Sequence, residues 1–155
     1  MIQVVGLGGR EVNGTLVLFD NGVKRVLDGS IDFDLQHGSL EYGNLFEQLV
    51  IVEILRRISY LELSVEPSFL ATEGGSEIDL VLERSSRVEV MIEIKSGSKI
   101  DNSDLRHIKA LGPAFKGASC FCLYGGSVSY LDGEVRVVPW LEGVEQVLEI
   151  IQGRR

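Results

Sequence analysis

The sequence predicts an α/β domain in which helices pack against one β-sheet, and two observations support this fold class. Short runs with alternating apolar residues, typical of strands, are interspersed with stretches whose apolar residues recur at helical spacing. A chain of 155 residues, 45% of them hydrophobic, is also long enough to bury a proper core. We therefore expect a single domain over residues 1–155, with an extension over 1–40 and a core over 41–155.

The composition limits the classes of function. With a formal net charge of −8, the chain lacks the excess of basic residues expected of a protein that binds nucleic acid by electrostatics alone. It is weaker evidence against an enzyme that brings divalent cations to its acids, because a bound metal cancels negative charge locally. No apolar run could span a membrane and no signal peptide is visible, which predicts a cytoplasmic protein without a membrane partner.

The two cysteines are predicted to be buried thiols on one face of a strand. Cys120 and Cys122 lie two residues apart in an apolar segment. A zinc site would need two further ligands, and His37 and His107 are distant from the pair and from each other in sequence.

The N-terminal region is predicted to form a small antiparallel meander over residues 2–27. Asn13-Gly14 and Asn21-Gly22 are typical of tight hairpin turns between short β-prone runs. The glycine cluster at 6–10 lacks the Gly-Lys-Ser/Thr ending of a phosphate loop, so we assign its glycines to turns. Residues 28–43 form an acidic connection with room for a short strand around Ile31–Leu35.

A helix is predicted from Asn44 to about Tyr60, and Glu47 is its most informative residue. At about 100° per residue, Glu47 projects into the same arc as Val50 and Ile54, the face that should dock on the sheet. An inward carboxylate requires a cation, a hydrogen-bond donor or water, because burial of an unpaired ion costs several kcal/mol. The alternative is that Glu47 lies in the first turn, where the helix dipole and nearby solvent accommodate an acid.

A predicted β-hairpin in the middle of the chain carries charged residues within its strands. Asp79 interrupts the apolar pattern of the first strand, and Glu93 and Lys95 interrupt that of the second. If the turn is centred on Ser86, antiparallel pairing places Asp79 opposite Glu93 and Glu77 opposite Lys95. Two carboxylates would then face one spot with an ammonium beside them. Cross-strand ion pairs on an exposed face would produce the same pattern.

The remaining elements complete the sheet and its helices. Residues 61–76 contain a strand-like segment over 61–71, in which Pro67 marks an edge or a break, followed by a polar loop. After the hairpin, a helix capped by Asn102 or Ser103 is expected to run to about Phe115. The sequence then predicts three elements in order: a buried strand over 118–125, a hairpin turning at Asp132-Gly133, and a helix over Leu141–Ile151.

Basic side chains gather in the segment from residue 95 to residue 117. Lys99, Arg106 and Lys109 are candidate phosphate contacts there, although a solvated helix face explains most such runs.

Three segments together resemble the core of the PD-(D/E)xK nuclease superfamily: GNLFEQLVIVEIL at 43–55, GSEIDLVLER at 75–84 and IEIKSG at 92–97. More narrowly, they are similar to the nuclease-like domain of undefined function that follows the ATPase module in many prokaryotic AAA+ proteins. The likeness covers about residues 40–125, and Ile78 stands where the superfamily name has a proline. The resemblance implies a restriction-endonuclease-like core with a central mixed sheet flanked by helices.

The resemblance also implies a Mg²⁺ or Mn²⁺ site. Asp79, Glu93 and the backbone carbonyl of Ile94 would be metal ligands, and Glu47 would hold a metal-bound water or a second ion. Lys95 would either orient or deprotonate the attacking water, or stabilise charge on the phosphorane, and clustered acids raise the pKa of a lysine, which favours the second role. Glu77, paired with Lys95, would support this set from outside the coordination sphere.

Two functions follow as hypotheses. The first is a metal-dependent nuclease that hydrolyses phosphodiester bonds in DNA, with Glu47, Asp79, Glu93 and Lys95 as catalytic residues. The alternative is an inactive nuclease-like module for assembly or partner binding, for which an ATPase is a candidate partner. A restriction-like enzyme would also act as a homodimer in order to cut two strands.

Overall fold

The computed structural model describes residues 2–6, 36, 38–72 and 74–153, and these residues form one β-sheet with helices on both faces. The described strands are β1 (Ile2–Gly6), β2 (Glu66–Thr72), β3 (Glu77–Arg84), β4 (Arg87–Lys95), β5 (Ser119–Tyr124), β6 (Tyr130–Asp132) and β7 (Val135–Pro139). The described helices are α1 (Leu40–Tyr60), α2 (Arg106–Leu111), which continues into a 3₁₀ turn (Gly112–Ala114), and α3 (Trp140–Gly153).

The sheet is mixed, which confirms the predicted fold class. Its strand order is β1-β2-β3-β4-β5-β7-β6. Strands β1 to β4 pair antiparallel in sequence order, β5 lies parallel to both β4 and β7, and β6 pairs antiparallel with β7. In the N-terminal region, residues 2–6 form β1 against β2, whereas the rest of the predicted meander, including the strand around 31–35, lies outside the described residues.

Two apolar layers cover the two faces of the sheet. One layer, which includes Ile54 of α1, Val147 of α3 and Ile92 of β4, lies between α1, α3 and the sheet. The other, which includes Ile108 of α2 and Met91 of β4, lies between α2 and the opposite face. Because side chains alternate along a strand, the residues of β4 at positions 93 and 95 share the α2 face with Met91.

The C-terminal elements agree with their predicted patterns. Cys120 and Cys122 are free and buried in β5, and burial raises the pKa of the Cys122 thiol to about 12. Helix α3 buries the apolar residues assigned to its inner face, which are Val144, Val147, Leu148 and Ile151. None of the described helices is long and apolar enough to cross a membrane.

Helix α1 begins four residues before its predicted start. Ser39 caps it, with the Ser39 hydroxyl accepting a hydrogen bond from the backbone amide of Tyr42 at 3.1 Å. Gln48, a polar residue next to Glu47, is buried. The earlier start places the predicted site residue Glu47 at the end of the second turn of the helix, beyond its first turn.

The helix expected from Asn102 or Ser103 begins later and is shorter. The carboxylate of Asp101 accepts hydrogen bonds from the backbone amides of Ser103 at 2.7 Å and Asp104 at 3.2 Å, which holds residues 101–104 in a turn. Helix α2 therefore starts at Arg106 and has no side-chain cap.

Pro67 lies in β2, which has a neighbour on each side. Among the described residues the last pairing of β1 with β2 is Gly6 with Ser68, and Pro67 pairs with Leu82 of β3 on the other side. The predicted edge is therefore wrong, because β2 lies between β1 and β3, although the register of β2 against β3 shifts soon after Pro67, between Ser68 and Leu70.

Candidate active site

The β3–β4 hairpin brings Asp79 and Glu93 opposite each other, by a different route from the one predicted. Ser85 and Ser86 form a two-residue turn, both with positive φ, between the paired residues Arg84 and Arg87. Glu83 then pairs with Val88 and Leu82 with Val90, so Glu89 is an extra residue that shifts the register by one. The shifted register pairs Leu80 with Ile92, and its continuation by one residue places Asp79 opposite Glu93.

A second irregularity in β3 lies at Asp79 itself. Ser68 pairs with Val81 and Leu70 with Ile78, so β3 advances three residues while β2 advances two. The extra residue falls at Asp79 or Leu80, and a bulge of this kind bends a strand and redirects a side chain. The Asp79 carboxylate turns toward β4, where its Oδ2 accepts a hydrogen bond from the Ile94 amide at 2.7 Å.

Lys95 forms an ion pair with Glu93, whereas the sequence predicted a pair between Lys95 and Glu77. Lys95 Nζ lies 2.6 Å from Glu93 Oε1, whereas Glu77 is exposed and forms no ion pair with Lys95 in the part of the chain described. The predicted Glu77–Lys95 pair is therefore wrong. Positions 93 and 95 lie on one face of the same strand, and the Lys95 side chain folds back on its neighbour.

Glu93 is the most deeply buried acid of the site. It is 3% exposed, and its Oε2 has no hydrogen-bond partner among the described residues. Burial, with the charge of Asp79 in second place, raises the pKa of Glu93 to about 7, against the opposing effect of Lys95. Burial likewise raises the pKa of Asp79, although Lys95 and the Ile94 amide oppose it. Both acids are therefore held where a second negative charge is unfavourable.

Lys95 remains protonated in this environment. Burial lowers the pKa of its ammonium, but Glu93, which accepts its hydrogen bond, and Asp79 together outweigh burial and raise that pKa above the ordinary value. About a third of the Lys95 side chain remains exposed, so the charge can be reached from solvent.

Glu47 reaches the same site from α1. The first turn of α1 lies near the end of β4, since a Cβ added at Gly43 would be 3.7 Å from Ser96 Oγ. Glu47, one turn later, is half-buried, and its charge contributes to the raised pKa of Glu93. The structure thus brings the predicted helix acid into electrostatic range of the hairpin acids.

Two further residues lie near the site and were not found from the sequence. Asp104, in the turn before α2, helps to raise the pKa of Lys95, and His107 of α2 lowers that of Asp79. Neither has a sequence signal, because only the packing of α2 against β3 and β4 brings them close.

The three basic residues predicted to contact phosphate differ in their surroundings. Lys99 is exposed in the loop after β4, and the Arg106 guanidinium Nη2 lies 3.0 Å from His107 Nε2. The ammonium of Lys109 is already paired with Asp132 at 2.7 Å. Lys99 and Arg106 are thus the basic groups of this set without a carboxylate partner in the described residues.

The donors present suit a hard divalent cation. Within residues 2–6, 38–72 and 74–153, no three or more His, Cys, Asp and Glu side chains form a preformed metal cluster. Mg²⁺ binds in proteins through one or two carboxylates with several waters, however, and Asp79 and Glu93 supply two. The unpartnered Glu93 Oε2 is the polar atom that such an ion would satisfy.

The fold and site together define an α/β domain with a buried acid pair and a lysine at the carboxyl end of the central strand β4. Residues 42–142, roughly two thirds of the chain, match the family model described as Domain of unknown function (DUF4143). The chain belongs to this family, and the match contains every predicted site residue. Searches of curated proteins and of solved structures found no match.

Proposed function

We propose that this domain is a metal-dependent nuclease of the PD-(D/E)xK type that hydrolyses phosphodiester bonds in DNA. The observation that supports the proposal is the convergence of Asp79 and Glu93 on one buried spot beside Lys95. Burial raises the pKa of both carboxylates, and the charge of Asp79 raises that of Glu93 further. A divalent cation would satisfy both charges at once.

Asp79, Glu93 and the carbonyl of Ile94 would hold Mg²⁺ or Mn²⁺, with Glu47 nearby for a bound water. When bound, the ion supplies polarisation of the scissile phosphate and acidification of the attacking water. The Ile94 amide fixes the Asp79 carboxylate by its hydrogen bond, so one ligand is oriented in advance.

Lys95 acts as an electrostatic group in this proposal. Its raised pKa keeps the ammonium charged at neutral pH, which suits stabilisation of developing negative charge better than proton abstraction. A cation that takes over the Glu93 carboxylate would weaken its 2.6 Å contact with Lys95, which leaves the ammonium available to the phosphate.

Exposed basic groups near the site are the proposed contacts to the DNA backbone. Lys99 lies in the loop four residues after the end of β4, and Arg106 begins α2. A guanidinium can bind a phosphate through two hydrogen bonds, so Arg106 would contribute orientation as well as charge. An ATPase remains a proposed partner that would bring the domain to its substrate.

The experiment is cleavage of plasmid and single-stranded DNA with Mg²⁺ or Mn²⁺ by the wild-type chain and by Glu47→Gln and Glu93→Gln. We expect Glu93→Gln to lose about 100-fold or more in rate and Glu47→Gln to lose less. Glu53→Gln is the matched control, because Glu53 lies on the same helix as Glu47 but pairs with Arg56 at the surface.

Metal binding is measured on the same variants by thermal denaturation. Mn²⁺ should raise the melting temperature of the wild type and of Glu53→Gln but not of Glu93→Gln. Intact DNA with every metal, together with unchanged melting temperatures, would overturn the nuclease proposal in favour of the non-catalytic module.

A further inference from the structure

Strand β6 forms one edge of the sheet and exposes apolar side chains. It pairs with β7 and is last in the strand order, so alternate backbone N–H and C=O groups of β6 point away from the sheet. Leu131 is 67% exposed, Val128 and Leu141 are each 63% exposed, and Tyr130 is 42% exposed. Natural edge strands are usually protected by charge or by cover, so this combination is unusual. We call Val128, Leu131, Leu141 and the outer side of β6 the β6 edge.

The two faces of β6 differ in chemistry. Asp132 pairs with Lys109 of α2, so Asp132 and Tyr130 lie on the α2 face. Leu131 lies on the other face, beside its paired residue Arg136, whose guanidinium stacks 5.4 Å from the centre of the Phe121 ring in the α1/α3 layer.

Leu141 lies at the start of α3, close to the segment that precedes β6. The Ser129 hydroxyl donates a hydrogen bond to Glu142 Oε2 at 2.9 Å, which joins the segment before β6 to the first turn of α3. Leu141 belongs to that same turn. The exposed apolar groups therefore gather at one corner of the domain, next to an open strand.

We propose that the β6 edge is the interface of a homodimer, in which β6 pairs antiparallel with β6 of a second copy about Leu131. A two-fold axis through this point makes the contact self-complementary and joins the two sheets into one. Leu131 then faces its own copy, flanked by Leu141 and Val128, so the apolar groups of each chain cover those of the other.

The charges of β6 fit a second copy of the chain. In this register Tyr130 lies opposite the partner's Asp132, so the two acids do not face each other. Each Asp132 carboxylate is already paired with Lys109 at 2.7 Å. A chain of net charge −8 repels its copies over much of its surface, which favours contact where charge is absent or matched. The short strand predicts a dimer that dissociates in the micromolar range.

The first test is sedimentation velocity of the full chain across the micromolar range. We expect the mass to rise from that of one 17.1 kDa chain to that of two with increasing concentration. Leu131→Asp should remain monomeric at every concentration, with the melting temperature that the wild type has at concentrations where it is monomeric, because Leu131 is exposed in the monomer. Leu40→Asp is the control, since Leu40 is 83% exposed at the start of α1 and should leave the dimer intact.

The second test addresses the register. Leu131→Cys should form an intermolecular disulfide under mild oxidation, because directly opposed residues in antiparallel strands lie within disulfide reach. Leu40→Cys should not, and the native cysteines are buried. A wild-type chain that stays monomeric, or a dimer that Leu131→Asp leaves unchanged, would overturn the proposal. The result does not depend on nuclease activity, since an inactive domain would dimerise equally well.

Discussion

The Asp79 carboxylate on β3 accepts a hydrogen bond from the Ile94 amide on β4 at 2.7 Å. Ile94 lies between the two charged residues Glu93 and Lys95 of the same strand. This bond holds an acid close to a second acid that is almost fully buried. The arrangement is costly for the folded chain without a cation, because each carboxylate raises the free energy of ionising the other.

Replacement of Asp79 separates its charge from its hydrogen bond. Asp79→Asn should lower the pKa of Glu93 below its present value of about 7, because one negative charge is removed while burial remains. The asparagine oxygen can still accept the Ile94 amide, so we expect the free energy of unfolding to change by about 1 kcal/mol or less. Carboxyl NMR titration and urea denaturation measure the two effects.

Asp79→Ala is the comparison for the hydrogen bond. It leaves the Ile94 amide without its acceptor and should cost about 1–3 kcal/mol of stability. An unchanged Glu93 pKa in Asp79→Asn would contradict the proximity of the two acids.

Stability should fall as pH rises through the titration range of Glu93. The pKa of Glu93 is raised from 4.5 to about 7, so the folded chain binds more protons than the unfolded chain between these values. This contribution is fully present below pH 4.5 and is lost as pH rises through about 7. Its upper limit is about 3 kcal/mol, and the raised pKa of Asp79 acts in the same direction.

The measurement is urea denaturation of the wild type and of Glu93→Gln across this pH range without metal. As pH rises, the free energy of unfolding of the wild type should fall relative to that of Glu93→Gln. A difference that is constant with pH would show that Glu93 ionises normally.

Lys95→Met should separate catalysis from metal binding. Methionine preserves most of the apolar stem but removes the ammonium, so we expect cleavage to fall by about 100-fold or more. Affinity for Mn²⁺, measured by calorimetry, should stay the same or increase, because the cation no longer competes with Lys95 for the Glu93 carboxylate. Cleavage at the wild-type rate would rule out the proposed role of Lys95.

Gly125→Ala should destabilise the fold next to the loop that follows β4. The Gly125 amide donates to the carbonyls of Lys95 and Gly97, both at 3.1 Å, and an added Cβ would lie 2.5 Å from the Ser96 carbonyl oxygen. Since the contact is with backbone, we expect a loss of about 1–3 kcal/mol in urea denaturation. Gly153→Ala has no atom within 4 Å of its Cβ and should be neutral. Equal stabilities for the two variants would contradict the close approach of these loops.

Much of the site could be predicted because it lies on one hairpin. Alternation fixes which residues of a strand share a face, so Glu93 and Lys95 were expected together, and antiparallel pairing brought Asp79 opposite Glu93. The predicted turn centre was nevertheless displaced, and the extra residue Glu89 restored the register. Bulges have no dependable signal in a single sequence, because they depend on neighbouring strands.

Side-chain partners were less predictable than strand faces. Lys95 binds Glu93 rather than Glu77, and Lys109 binds Asp132 from a distant strand. A flexible lysine can reach several acids, and the tertiary packing around it selects one. The start of α2 was likewise missed, because the Asp101 carboxylate accepts hydrogen bonds from the Ser103 and Asp104 amides in a turn that precedes the helix.

The sequence alone determined the alternating strands, the helical faces of α1 and α3, and the opposition of Asp79 and Glu93, since all follow from local periodicity and short-range pairing. Only the tertiary structure decided that Glu47 of α1 and His107 of α2 lie within electrostatic range of that pair, and that Asp104 lies within range of Lys95. These residues are distant in sequence and on separate helices. Their approach follows from the packing of α1 and α2 on opposite faces of the sheet, which no local pattern encodes.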